Sequence, residues 1–236
     1  MKKIVLLIIA AVLSTFLSVN AQSSFGVFAE GGTSYIKITD GQMPSVNLQV
    51  SQHALPSANA GVYYKGIVKK RVAFGIKHFI GYGAIKSEYT YANPNVSWQE
   101  GIRDVSVFAL GFNPTVGFVH EKVSLNAGVQ LLNYFWNNSS EKTTYYQSGF
   151  YSGGNYYPAR MNYMEYENKG EVFILDYGIT ASVEYEVNKR VLLSGTYYMG
   201  HKVFKFPMGD GFYQTRQLTM GIKYVIAVSK KREREK

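Results

Sequence analysis

Eight stretches of this chain alternate apolar side chains with small or polar ones, and none of the segments between them keeps a helical period. The clearest runs Val123-Ser124-Leu125-Asn126-Ala127-Gly128-Val129-Gln130-Leu131, apolar at every odd position and small or polar at every even one. A period of two places successive side chains on opposite faces of a strand. Each strand therefore has one apolar face, and with no amphipathic helix to cover it, something else must. Lipid can do so, provided the sheet closes on itself and leaves no unpaired edge in the hydrocarbon. The pattern predicts an all-β fold, an eight-stranded antiparallel up-and-down transmembrane β-barrel.

The strands are expected at about 24–38, 57–69, 71–88, 102–119, 122–137, 170–187, 190–203 and 214–228. Each is long enough to cross a bilayer, which takes about 9–11 tilted residues. Short connections at Lys69-Lys70-Arg71, His120-Glu121-Lys122 and Asn188-Lys189-Arg190 alternate with long ones over 39–56, 89–101, 138–169 and 204–213. Three short turns and four long loops are what eight antiparallel strands need when both termini lie at the same end.

Residues 1–21 read as an export signal. Lys2 and Lys3 precede the 14-residue apolar or small stretch Ile4–Leu17, shorter than the roughly 20 residues of a spanning helix. Val19 and Ala21 then supply small residues at the −3 and −1 positions of a cut after Ala21. The expected organisation is signal peptide 1–21, barrel 22–229 and basic tail 230–236. There is no cysteine, hence no disulfide, thiolate metal site or lipid-anchored N-terminus. The net charge of +9 falls to +7 without Lys2 and Lys3. The tail's five bases and two acids hold +3 of that, leaving +4 on the body. No basic stripe interleaved with aromatics accompanies it, so no nucleic-acid partner is expected. Twenty Tyr, 14 Phe and 23 Gly against 17% charged residues suit a lipid-facing barrel better than a soluble sandwich, which carries more charge outside.

Parity assigns the faces. Ala58, Ala60, Val62, Tyr64 and Val68 share one side of their strand. So do Val72, Phe74, Ile76, Ile80 and Tyr82; Phe108, Leu110, Phe112, Val116 and Phe118; Phe173 through Tyr185 at odd positions; and Leu218, Met220, Ile222, Tyr224 and Ile226. These are predicted to face lipid, with Tyr64, Tyr82, Tyr185 and Tyr224 in aromatic belts near strand ends. The opposite parity carries an interior charge network of Glu30, Lys65, Lys77, Arg103, Asp176, Glu184, Glu186, Lys202 and Lys223, interleaved with glycines. Eight strands enclose a lumen just wide enough for side chains to fill. Four acids and five bases in that space are expected to pair, since an unpaired buried charge is expensive; the expectation is a plugged interior. Two residues fit this scheme poorly. Pro114, which has no N–H for the ladder, predicts a bulge or break near Asn113, and His78 falls on the lipid face.

On the export signal, the eight alternating segments and the final strand Leu218-Thr219-Met220-Gly221-Ile222-Lys223-Tyr224-Val225-Ile226, the chain resembles the outer-membrane β-barrel domain family of diderm bacteria, the small eight-stranded barrels similar to OmpA and OmpX. The resemblance covers about 22–229. It implies an outer-membrane location with both termini periplasmic, a monomer, and contact with outer-membrane lipid including lipopolysaccharide. It does not carry over an activity, because functions in such barrels vary. Such barrels often end on an aromatic residue, whereas here Val228-Ser229 and the charged tail follow the last strand.

Segment 138–169 is the candidate recognition element. It holds Tyr145, Tyr146, Phe150, Tyr151, Tyr156 and Tyr157, with Tyr163 and Tyr166 beyond. Tyr offers a large amphipathic contact area at low entropic cost. Two readings stand: a surface for an extracellular partner of unidentified kind, or a hairpin extension with Tyr as strand filler. Catalysis is not expected. Of His53, His78, His120 and His201, His120 sits at a periplasmic turn, and neither His53 nor His201 has a Ser and an acid close by on the same strand face. No metal or cofactor motif is present. The expected role is structural or surface-interactive. The alternatives are a narrow porin-like channel and a lipid-modifying enzyme.

Overall fold

The computed structural model describes residues 22–39, 47–68, 71–93, 97–152, 154–206 and 209–229. The expected signal peptide, 1–21, and basic tail, 230–236, lie outside them. The chain forms β1 (Gln22–Thr39), β2 (Asn47–Val68), β3 (Val72–Asn93), β4 (Ser97–His120), β5 (Val123–Gln147), β6 (Phe150–Ser152), β7 (Asn155–Tyr157), β8 (Arg160–Asn188), β9 (Val191–Phe206) and β10 (Gly209–Ser229). Eight of these close in the order β1-β10-β9-β8-β5-β4-β3-β2, every neighbour antiparallel, and β6 pairs with β7 in a separate small hairpin.

The short turns at His120-Glu121-Lys122 and Asn188-Lys189-Arg190 form where expected, and Lys69 and Lys70 lie outside the described residues. At Asn188, the side-chain Oδ1 accepts from the backbone N–H of Arg190 at 2.8 Å and of Val191 at 3.0 Å, an Asx-type turn that stands in for backbone pairing. Glu121 turns the β4–β5 connection with a φ of 51°, the left-handed region that non-glycine residues seldom adopt.

At the other end the structure departs from the expected long loops. Most of 138–169 is strand: β5 runs on to Gln147, β8 starts at Arg160, and the β6–β7 hairpin fills the tip. Likewise β2 begins at Asn47, β3 reaches Asn93 and β4 begins at Ser97. These parts of the strands stand beyond the apolar belt, where the outward side chains no longer face lipid, so they carry no apolar period-two signature.

Outside, the expected parity holds where side chains are described. Ile80, Leu110, Val116, Leu125, Val129, Leu175, Ile179, Met220 and Ile222 are all exposed apolar residues. On β4 the belt runs from Phe108 to Phe118, 11 residues, the length of a bilayer crossing. Tyr82, Phe108 and Trp136 gather at its far edge, with ring separations of 5.2 and 5.6 Å. Phe25, Phe118, Tyr185 and Tyr224 ring the edge near the termini, all exposed. His78 is exposed on the belt as parity placed it, its ring 4.9 Å from Phe112. The side chain of Phe173 lies outside the described residues.

Pro114 causes no bulge. Phe112 faces Leu131 and Thr115 faces Gly128 in one unchanged register, so the ladder to β5 lapses across Asn113 and Pro114 and resumes in step. The bulge on this pair sits at Phe135, between the Phe108–Trp136 and Ala109–Tyr134 partners. One extra residue there flips the parity of β5. Its buried residues change from Gln130, Leu132 and Tyr134 to Ser139 and Thr143.

The interior is packed with more than charge. Phe28, Tyr63, Phe79, Leu132, Tyr134 and Tyr198 form a buried apolar cluster inside the barrel. The Phe79 ring lies across from Gly111 in the β3–β4 register, and a Cβ on Gly111 would stand 2.1 Å from Phe79 Cζ. Gly111→Ala is therefore expected to cost about 1–3 kcal/mol through forced repacking. Gly31→Ala, where a Cβ meets nothing within 4 Å, should change stability little. Urea unfolding of the refolded barrel checks both, and equal midpoints would contradict the packing described for Phe79.

Candidate functional site

Three polar layers cross the lumen. Nearest the termini, Glu184 on β8 takes a hydrogen bond from Lys65 Nζ at 2.7 Å and a second from Lys223 Nζ, while Lys65 also donates to Ser124 Oγ at 2.7 Å. The Lys223 ammonium lies 5.3 Å from the centre of the Tyr63 ring. In the next layer Lys77 donates to Glu30 Oε1 at 2.7 Å, and the same carboxylate accepts from the hydroxyls of Ser194 at 3.1 Å and Thr219 at 3.2 Å. Toward the far end, Asp176 is fully buried and accepts from Tyr134 Oη at 3.4 Å.

The buried charges described are thus Glu30, Asp176 and Glu184 against Lys65, Lys77 and Lys223, three of each sign. Period-two alternation aims every one inward; Glu184 pairs with Lys65 and Lys223 and Glu30 with Lys77, as buried charges require, whereas Asp176 meets a tyrosine hydroxyl and, among the described residues, no lysine or arginine. Glu186 shares the inward parity but lies beside the Asn188 turn and is exposed, so it stands outside this network. The side chains of Arg103 and Lys202 lie outside the described residues. Parity alone points to the charges. The aromatic filling between them follows the same alternation, on even positions in β1 and β9 and odd ones in β2 and β3, and was open to reading in Phe28, Tyr63, Phe79 and Tyr198.

Cavities of about 10 Å³ remain in the lumen, two of them among the described residues. The first is lined by Glu30, Asn59, Lys77, Phe79, Asn113 and Gln130, among others. The second lies beside Tyr63, Lys65, Glu184 and Lys223. Such a volume holds about one water molecule.

The raised part of the barrel is uneven. The β8–β9 ladder begins at Gly178–Gly200 and runs only toward the Asn188 turn. Above it, among the described residues, the rungs of β8 from Arg160 to Tyr177 are to β5. Met161, Tyr163, Met164 and Tyr166 on this stretch are exposed, as are Tyr146 on β5 and Tyr156 at the tip; Tyr145 is half-buried. The side chains of Phe150, Tyr151 and Tyr157 lie outside the described residues. Lys142 and Glu165 clasp the hairpin at 2.9 Å, and the Glu165 carboxylate holds that ammonium above its usual range.

Strand pairing also joins residues distant in sequence. His53 Nε2 lies 3.5 Å from Glu88 Oε1, and Ser51 stands directly across from Glu88. A Ser, a His and an acid therefore share this part of the β2–β3 pair, contrary to the sequence-based expectation, because cross-strand register supplies the acid. Among the described residues no hydrogen bond joins Ser51 to His53. Glu88 also holds Lys86 at 3.3 Å, and that ammonium lowers its carboxyl below the usual carboxylate range. His201 stacks on Tyr177 at 4.8 Å.

An apolar belt between two aromatic rings, around a filled eight-stranded lumen, is the architecture of the small outer-membrane barrels. No protein-family profile and no curated protein matches the chain. Among solved structures it is similar to Neisserial surface protein A, at 14% identity over 86% of this chain and 97% of that one, TM-score 0.43. It is also similar to the attachment invasion locus protein Ail of Yersinia pestis (11%, 88% and 100%, TM-score 0.35) and to OprG of Pseudomonas aeruginosa (7%, 89% and 99%, TM-score 0.35).

Proposed function

We propose that the chain is an outer-membrane barrel with a non-conducting lumen, which presents the β5–β8 hairpin outside the cell as a surface for an extracellular partner. The observation that carries this reading is the exposed side of the β5–β8 hairpin, where Met161, Tyr163, Met164 and Tyr166 are open to the surroundings. Tyr and Met side chains grouped on a raised hairpin supply apolar and amphipathic contact area to a partner. The hairpin lies at the end opposite the termini, so on this reading the termini face the periplasm.

Two experiments test it. Cells bearing the protein should adhere to an extracellular-matrix-coated surface more than cells lacking it. The triple variant Met161→Ser/Tyr163→Ser/Tyr166→Ser should lose that gain while keeping its heat-modifiable gel migration. Undiminished adhesion of the variant would remove the hairpin from the function. In a planar bilayer the refolded protein is expected to show no steady single-channel conductance, since the lumen keeps cavities of about one water each. A reproducible conductance would replace the plugged lumen with the channel alternative.

A further inference from the structure

The geometry points to a binding site for the phosphate of an outer-leaflet lipid on the barrel's outer wall, built by Arg216, Tyr35 and Tyr197. This rests on the membrane embedding proposed above and adds a specific ligand contact to it. On β10 the outward positions Leu218, Met220 and Ile222 are exposed and apolar. Arg216 is the next outward position on the side away from the termini, so its guanidinium stands where the apolar belt ends and lipid headgroups begin. The β1–β10 and β10–β9 registers set Tyr35 beside Arg216 and Tyr197 beside Leu218.

The guanidinium is held but not neutralised. Its Nη2 donates to Gln214 Oε1 at 3.3 Å, and the Tyr35 ring centre lies 6.0 Å from its Cζ. Tyr35 on β1 and Tyr197 on β9 flank it from the two neighbouring strands. Its Nε is buried without a hydrogen-bond partner, and among the described residues no carboxylate pairs with it. A planar guanidinium beside two phenol hydroxyls matches a phosphate in particular. The fork grips two oxygens at once, and the phenols can donate to a third. A long arginine stem at the belt's edge carries its charge toward the headgroup level, where lipid phosphates lie.

The test uses the full chain refolded in detergent micelles, with native mass spectrometry counting retained lipid. The probes are bisphosphorylated lipid A, the same lipid with its phosphates removed, and inorganic phosphate. Wild type is expected to retain lipid A, with retention falling about tenfold in Arg216→Gln and about threefold in Tyr35→Phe. Arg71→Gln, at the opposite rim, should match wild type. Removing the lipid's phosphates should lower wild-type retention as far as Arg216→Gln does, and inorganic phosphate alone should not be retained. Equal retention by wild type and Arg216→Gln, or equal retention of the phosphorylated and phosphate-free lipids, would overturn the site. Retention of inorganic phosphate as strong as that of lipid A would overturn its assignment to a lipid. Heat-modifiable migration is read on every variant, so that a failure to embed is told apart from a failure to bind.

Discussion

Ile222→Arg is expected to lower the stability of the refolded barrel by about 2–4 kcal/mol, the cost of a lipid-facing arginine near the bilayer midplane. Ile222 lies within the belt of β10, between Met220 and Tyr224, with 55% of its surface open to the surroundings of the barrel. Val129→Arg on β5, at 48% exposure, should cost a similar amount. The adjoining Gln130 is 3% exposed and takes a hydrogen bond from Asn113 Nδ2 at 3.2 Å. It points into the polar lumen and should accept polar exchange far better than its neighbour accepts arginine. Urea unfolding in lipid vesicles reads all three. Equal losses on the two faces would reverse the assignment of inside and outside.

The second large effect belongs to Glu184. Its carboxylate is shared between Lys65 and Lys223, so Glu184→Ala leaves two buried ammonium groups with no counter-charge. Removing one member of a buried ion pair costs about 3–5 kcal/mol, whereas replacing the whole group by apolar residues of similar size is often neutral or better. The triple variant Lys65→Met/Glu184→Leu/Lys223→Met should therefore recover most of the stability that the single change loses. A loss below about 1 kcal/mol in Glu184→Ala would mean that the layer is hydrated rather than dry, since exposed ion pairs are worth about that or less.

Within the belt the fold was legible residue by residue. Lipid outside and packed side chains inside impose a strict alternation, and Leu175, Ile179 and Val183 outward against Asp176, Thr180 and Glu184 inward write it along β8. Beyond the belt that contrast disappears. Met161, Tyr163, Met164 and Tyr166 are exposed on both parities, so the sequence left 138–169 open between a recognition loop and the hairpin extension of the flanking strands that the structure shows. The Phe135 bulge was hidden for a related reason, because an aromatic residue suits either side of a belt's edge. Pro114 marked the break in the ladder to β5 that its missing N–H implies, and the register on either side of it stays intact. The lumen charges could be named from parity, but their partners could not. Which lysine meets which carboxylate depends on how strands far apart in sequence are staggered around the closed barrel, as Lys65 and Glu184 show at a separation of 119 residues. His53 meets Glu88 more simply, through the register of the consecutive strands β2 and β3.

The uneven β8–β9 ladder bears on how the barrel comes apart. The terminal strands β1 and β10, whose meeting closes the ring, are stitched from Ser23–Ser229 to Thr39–Phe212. Among the described residues the β8–β9 rungs span Gly178–Gly200 to Asn188–Val191. The shortest ladder described is thus an internal one, away from the place where the chain ends meet. Amide protons along the upper half of β8 should exchange with solvent first, and a tear begun there would run down between β8 and β9 while the closure stayed shut.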